Sequence, residues 1–558
     1  MMPRLKKLKK AVALLLVVGL LATLVGCGGS NQNQAKEVKP EDSIIRITED
    51  WPVFIDPGVG SKFSDSIALV NTYDTLVFPK PDGTVVPHLA TKWDILDNGL
   101  TYRFYLREGV KFHNGDELTA EDVEFSMKRL LDIGEGFAYL FTRNVAEVKA
   151  VDKYTVEFKL SQPFGPFLQS LVRLYILNKD EVLAHIQKNG QYGEMGDYGK
   201  NWLLTNDAGS GPYKVKEVKM EEYVLWEKFD DYWGGWDADA PKYFKLSGSV
   251  EPITVRTAVG RRELEITDEL QPLENYNMMD KIEGVDVATF LNGHNLNMML
   301  NTKKAPTDDV HFRRALAYCI DYDAIITSIY PGSSLSKGPV PAVLPGHDPT
   351  IPSFKRDLEK AKEELKKSKY YGKLDQYPVS LSWCAEAPEE EKLALLIQAN
   401  AAELGIKIEI TKKPFGSMMA DAQKMETTPN ASLVFVAPHY NEAGSMLMSR
   451  YHSSSCGTWE QMEWLQDENI DRLIEDALAT VDINERFEKY AKAQKAIFDL
   501  CPTIWLFDQA EKRAYQSAYI YWPTAERALK KETGCLPMGY DQYVHDMKVY
   551  PEKRLALL

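Results

Sequence analysis

Polar and apolar positions fall into their most regular order in residues 87–130, PHLATKWDILDNGLTYRFYLREGVKFHNGDELTAEDVEFSMKRL. Residues 92–96 and 101–106 read as two short strands joined through Asn98-Gly99, a pair that tolerates the positive φ of a tight hairpin. Tyr102, Phe104 and Leu106 then share one face. After the Asn114-Gly115 turn, Thr119 is placed to accept a backbone hydrogen bond at a helix start, with Asp122 in capping-box position. Val123, Met127, Leu130 and Leu131 form the apolar stripe of that helix.

The same two periods continue along the chain. Residues 44–48 alternate like a strand. Residues 147–160 form a second hairpin, with Tyr154, Val156, Phe158 and Leu160 on one face and Asp152-Lys153 at the turn. Leu296, Met298 and Leu300 alternate again, and Asp308 is expected to start a helix that buries Phe312, Ala315, Leu316, Cys319 and Ile320. Residues 355–369 read as a highly charged helix with Leu358, Ala361 and Leu365 inward and the charges on a solvated face. Ile470, Leu473, Ile474, Ala477 and Leu478 mark another helix. Asp482 with Glu485 caps the next, whose inner face is Phe487, Tyr490, Ala491, Gln494, Ile497 and Phe498. Residues 502–507 are an apolar strand.

The N-terminus changes the picture. Arg4, Lys6, Lys7, Lys9 and Lys10 precede an apolar run at residues 11–25, too short for a comfortable membrane span of about 20 residues. Basic flank and short apolar core have the form of an export signal. It ends in Leu24-Val25-Gly26-Cys27, which looks like a lipobox with Cys27 as the lipidated residue. The polar stretch that follows, GGSNQNQAKEVKP, lacks the apolar residues needed to offset its ordering entropy and reads as a tether.

About 520 residues remain, enough for two or three domains. The formal charge of -15 becomes about -20 once the five basic signal residues are removed. That acidity argues against nucleic acid and against lying on an anionic bilayer, and favours a soluble monomer touching the membrane through its lipid alone. With Cys27 lipidated, Cys319, Cys384, Cys456, Cys501 and Cys535 are left, none spaced as a zinc knuckle or redox pair. Most are read as free thiols. The chain carries no P-loop, no G-x-S-x-G elbow and no H-E-x-x-H motif, and no metal or cofactor is expected.

The stretch opened on above closely resembles the family 5 solute-binding proteins of ABC importers. Pro87, Leu89, Ala90, Trp93, the run 99–102, Phe104, Leu106, Arg107, the run 109–113, Gly115, the run 118–120, Asp122, Val123, Phe125 and Ser126 match the family pattern in one register. Gly209-Ser210-Gly211-Pro212-Tyr213 and Asp231-Tyr232-Trp233-Gly234-Gly235 are further family motifs, their glycines and aromatics being turn and packing devices. Asp309, Arg313, Arg314, Ala315, Leu316 and Asp321 resemble the register at the start of the second lobe.

The resemblance implies an α/β fold, two-lobed like the type II, cluster C periplasmic binding proteins, with a small α/β domain inserted in lobe one. The expected division is a signal at 1–26, a tether at 27–40, lobe one at 41–294 with the insertion at about 60–205, lobe two at 295–507 and a return to lobe one at 508–558. It further implies a non-enzymatic receptor, lipid-anchored on the extracytoplasmic face of the cell membrane, that closes by hinge motion and hands its solute to permease subunits driven by separate ATPases. A secreted hydrolase stays open as another class, because a carboxylate dyad has no short spacing signature. So does a receptor serving a sensor kinase.

Two places bear on the solute. Peptide-binding relatives often carry Trp-x-x-Asp-Tyr-Asn-Glu, whose Asp pairs with the peptide ammonium, since a buried charge needs an opposite partner. Here the stretch is Val436-Ala437-Pro438-His439-Tyr440-Asn441-Glu442, with His439 at the Asp position. Trp51 stands where oligopeptide receptors often have Glu. Trp51, His439, Tyr440, Asn441 and Glu442 are the candidate solute-binding residues, with Glu442 able to supply the missing charge if it points inward. An oligopeptide and an oligosaccharide both remain open as solute.

Overall fold

A computed structural model describes residues 38–51, 53–248 and 250–558. The signal, Cys27 and the tether as far as residue 37 lie outside the described residues.

In lobe one, Ile44–Glu49, Tyr243–Gly248, Tyr223–Lys228 and Tyr213–Lys219 form a four-stranded sheet in that order, parallel at the first pair and antiparallel after it. Alternation puts Ile45, Ile47, Val224, Trp226, Phe244 and Leu246 in its core. Gly209 shows why its motif needs glycine: a Cβ there would lie 2.0 Å from the Thr72 carbonyl oxygen.

The inserted domain is built on the antiparallel sheet Ala90–Leu96, Thr101–Leu106, Thr155–Leu160, Val145–Asp152. Both expected hairpins are present. The first turn needs three residues at positive φ, since Asp97 (51°) joins Asn98 (55°) and Gly99 (86°). Helix Ala120–Ile133 follows, with Val123, Met127 and Leu130 buried and Leu131 half-buried. Thr119 acts differently from the expectation: its backbone N–H and its hydroxyl both donate to Asp122 Oδ2, at 2.8 and 2.9 Å. The carboxylate therefore carries this side of the cap.

Lobe two has the sheet order Ile408–Lys413, Val379–Cys384, Ala431–Val436, Asp286–Leu300, Thr503–Tyr515, parallel among the first three and antiparallel thereafter. Helix Val310–Cys319 begins one residue later than expected. Asp309, not Asp308, caps it by accepting from the Phe312 N–H, while Asp308 accepts from the Tyr370 hydroxyl at 2.7 Å. The charged helix is Leu358–Lys367, capped by Asp357, and Asp482 caps Ile483–Leu500 as its spacing predicts.

The two longest strands, Asp286–Leu300 and Thr503–Tyr515, pair with each other and cross between the lobes. Ile266 bridges Ile47 on one side and Tyr515 on the other, joining the lobe-one sheet to the crossing pair. Pairing is interrupted between Leu291 and Asn295, where Gly293 takes φ 78° and the bulge bends the ribbon. The expected boundaries at 294/295 and 507/508 fall inside these strands. Cys319, Cys384, Cys456, Cys501 and Cys535 are free thiols, and no helix among the described residues is long and apolar enough to cross a membrane.

Candidate functional site

Where the inserted domain of lobe one meets lobe two, three buried residues converge: Arg173, His439 and Glu460. Arg173 ends the short turn Leu171–Arg173, whose Leu171 and Val172 are core residues. Its Nε donates to the His439 carbonyl at 2.6 Å and its Nη1 to the Tyr175 hydroxyl at 3.2 Å. The guanidinium lies over the Phe137 ring, 4.8 Å from its centroid, a cation–π arrangement. Nη2 has no hydrogen-bond partner among the described residues.

His439 sits in the loop after strand Ala431–Val436. Its backbone N–H donates to Ser445 Oγ at 2.8 Å, and its ring meets Phe137 and Tyr139 edge to face at 5.7 and 5.4 Å. Nδ1 has no partner. Nε2 lies 3.3 Å from Glu460 Oε1 but is not aligned as a hydrogen bond, so Oε1 too has no hydrogen-bond partner among the described residues. Burial raises the Glu460 carboxyl above its ordinary value, against the opposing pull of His439 and Arg450. An unsatisfied buried polar atom costs about 1–3 kcal/mol, more when charged. Three such atoms lie in this one seam, and each calls for an explanation.

The neighbouring candidates have other duties. Tyr440 is buried, which pushes its phenol well above the usual range. Asn441 donates to the Cys535 carbonyl and so ties lobe two to the returning segment of lobe one. Glu442 accepts from Arg486 Nε and Nη2 at 2.8 and 2.9 Å and from the Tyr490 hydroxyl at 2.7 Å. Its charge is already matched inside lobe two. Trp51 is half-buried beside Gly248 on the lobe-one core and shares no hydrogen bond or ring contact with His439.

Sequence reasoning missed Arg173 and Glu460. An arginine inside the apolar run of residues 171–177 was the one available signal for the first, while Glu460 carries none.

Two further features involve the crossing strands. On the crossing strands, Arg513 holds three carboxylates, Glu49 at 3.0 Å, Glu269 at 2.6 Å and Glu511 at 2.5 Å, and Asn292 of the other crossing strand donates to Glu511. Burial pushes Glu269 up to about 7 and Asp541 up to about 7. A cavity of about 640 Å³ opens between Phe290 and Asn292 of the crossing strand, Leu344 and Pro345 of lobe two, and Arg527 and Asp541 of lobe one. That volume falls within the range of small-solute sites, about 300–1,000 Å³.

The family model described as "Bacterial extracellular solute-binding proteins, family 5 Middle" matches residues 84–456. A probable D,D-dipeptide-binding periplasmic protein of Escherichia coli, DdpA, is 27% identical over 509 residues, covering 88% of this chain and 94% of that protein. The dipeptide-binding protein of the same organism is 29% identical over 469 residues, covering 78% and 83%. Among solved structures, the periplasmic binding protein DppA of Helicobacter pylori in complex with the peptide STSA is similar at TM-score 0.77 and 23% identity, covering 91% of this chain and 98% of that one.

Proposed function

Since the chain belongs to the family 5 bacterial extracellular solute-binding proteins, we propose that it is a lipid-anchored receptor outside the cell membrane that delivers a peptide to an ABC importer. The observation that carries the peptide reading is the seam of Arg173, His439 and Glu460. Its buried atoms without partners belong to a cation, an anion and an imidazole, and an uncharged oligosaccharide would match neither charge. The similarity to dipeptide-binding relatives points the same way.

In this reading Cys27 carries the anchor, the tether lets the lobes move beside the membrane, and the crossing strands act as the hinge. Bound peptide holds the lobes together by touching both, and the closed form is what permease subunits recognise, with ATP used by separate polypeptides. The protein binds without turnover.

Solution scattering tests this. A defined mixture of di- to tetrapeptides should reduce the radius of gyration of the purified chain and raise its melting temperature, since ligand at about 100 times Kd contributes about 2.7 kcal/mol. An unchanged scattering curve and an unchanged melting temperature at saturating mixture would overturn the reading.

A further inference from the structure

We propose that the buried acids around Arg513 form a proton switch for lobe closure: as the lobes shut, the cluster takes up protons on Glu269 and Asp541, so that falling pH favours the closed receptor. The inference rests on the reading that the crossing strands are the hinge, and adds to it a regulating ion, the proton.

The cluster stands where lobe one meets the crossing strands. Glu49 ends a strand of the lobe-one sheet, Glu269 follows closely on Ile266, which bridges that sheet to the crossing pair, and Glu511 and Arg513 lie on the crossing strand itself. The Arg513 guanidinium meets Glu49, Glu269 and Glu511, and its Nη1 donates to the Thr267 carbonyl at 2.9 Å. Further negative charge faces the same group. Asp268 acts on Glu49 and Glu269, and Glu511 acts on Glu269 and Asp541. His294 brings no positive charge near neutral pH, since burial holds it down at about 4. The Phe63 ring covers the guanidinium at 5.3 Å and meets His294 edge to face. One cation thus faces more buried carboxylates than it can neutralise, and a buried carboxylate in excess is relieved by taking a proton.

Two of these acids lie under walls that lobe two supplies. Glu269 lines a small cavity closed on its other side by Tyr330, Ala387 and Phe435 of lobe two. Asp541 lines the cavity of about 640 Å³ that Leu344 and Pro345 of lobe two help to wall. The cations beside them are engaged elsewhere: Lys512 donates to the Pro331 carbonyl, and Arg527 is drawn to Glu532 at 3.6 Å. Burial pushes Glu269 and Asp541 each up to about 7, with Arg513 opposing. A buried amide beside Asp541 also calls for a proton. Gln542 Nε2 donates to Asp541 Oδ2 at 3.2 Å, while its Oε1 has no hydrogen-bond partner among the described residues. A protonated Asp541 brings the donor that this amide lacks.

When the lobes part, water takes the place of the lobe-two walls and favours the ionised carboxylates, so both acids fall back towards their ordinary values. Their pKa is therefore higher closed than open. The closed form is favoured below the open-state value, and that advantage is lost as pH rises through about 7. Each proton taken up shifts the closure equilibrium by up to about ten-fold per pH unit within this window.

The test is solution scattering of the mature chain without peptide, from about pH 8.5 down to about pH 5.5, a range in which carboxyls of ordinary pKa stay ionised. The radius of gyration of the wild type should fall across that range. Glu269→Gln combined with Asp541→Asn, which puts neutral groups of the same shape in both places, should hold the compact value throughout, and each single variant should lose about half of the response. A thermal melt shows that the variants are folded. Independently of any variant, the infrared spectrum of the wild type should carry a protonated-carboxyl band at about pH 5.5 that is gone by about pH 8.5. A wild-type radius that is constant with pH, a response as large in the double variant, or the absence of that band overturns the inference. If the mixture of di- to tetrapeptides still compacts the wild type in that case, the receptor reading stands; if neither pH nor peptide changes the curve, both fall.

Discussion

Glu442 and Arg486 face each other through two near-parallel hydrogen bonds of 2.8 and 2.9 Å, with both side chains 2% exposed. Arg486 also donates to the carbonyls of Thr480 and Val481, so one guanidinium fastens the start of helix Ala443–Tyr451 to the start of helix Ile483–Leu500. Removing one member of a buried pair leaves the other uncompensated, at a cost of about 3–5 kcal/mol. Arg486→Leu should lose about that much in urea unfolding, whereas Glu442→Gln should leave the ratio of free to acetylated peptide affinity within about two-fold, because Glu442 is occupied within lobe two.

The acidic hinge makes stability depend on pH in the direction opposite to that of a salt-bridged carboxylate. Burial raises Glu269 from an ordinary 4.5 to about 7, with Glu511 and Asp268 adding to the rise and Arg513 opposing it. A carboxyl whose folded pKa lies above its unfolded value holds a proton in the fold that the unfolded chain has lost, so stability falls as pH rises between the two values. The advantage of Glu269→Gln over the wild type in urea unfolding should therefore widen from about pH 4.5 to about pH 7 and level off above. His294, held down at about 4 by burial, is present in both proteins and drops out of the difference. A gap that stays constant or narrows over that window would contradict the account.

Gly293 is the pivot of the bulge in the crossing strands. Its φ of 78° lies in the left-handed region, and a Cβ would stand 3.1 Å from Pro438 Cγ and 3.2 Å from Cys535 Sγ. An alanine there costs about 1–2 kcal/mol in backbone conformation alone, and the added methyl presses on the contact between the lobes. Gly293→Ala should lower the melting temperature and also shrink the further rise produced by peptide. A variant that melts lower but keeps the full peptide-induced rise would place the hinge elsewhere.

How much of this was readable beforehand follows the range of the interactions. The hairpin, turn and helix between Ala90 and Ile133 depend on alternation, on Asn98-Gly99 and on Asp122, all within a few residues, and their sequence pattern predicts them closely. Strands Val379–Cys384 and Ile408–Lys413 were not anticipated, because their order in the sheet is set by contacts with Ala431–Val436 rather than by their own pattern. The site was less legible still. His439 and its neighbours could be found by resemblance, but Arg173 reaches His439 across 266 positions. Neither the contacts of Arg173 and Glu460 with His439 nor the pairing of Glu442 with Arg486 has a local signature.

In the proposed receptor, membrane attachment runs through Cys27. One acyl chain gives marginal binding and two or more give stable anchoring, at about 0.8 kcal/mol per buried methylene. Cys27→Ser should leave the membrane fraction or remain unprocessed. A variant that is processed normally and stays acylated and membrane-bound would show that the anchor lies elsewhere.

The central claim is that the protein binds a peptide and leaves it intact. Native mass spectrometry of the purified chain, incubated with a defined mixture of di- to tetrapeptides, measures this directly. The account predicts a one-to-one complex whose released ligand has the mass of an unaltered peptide. A spectrum showing only the bare chain, or hydrolysed fragments accumulating in the mixture, would contradict it.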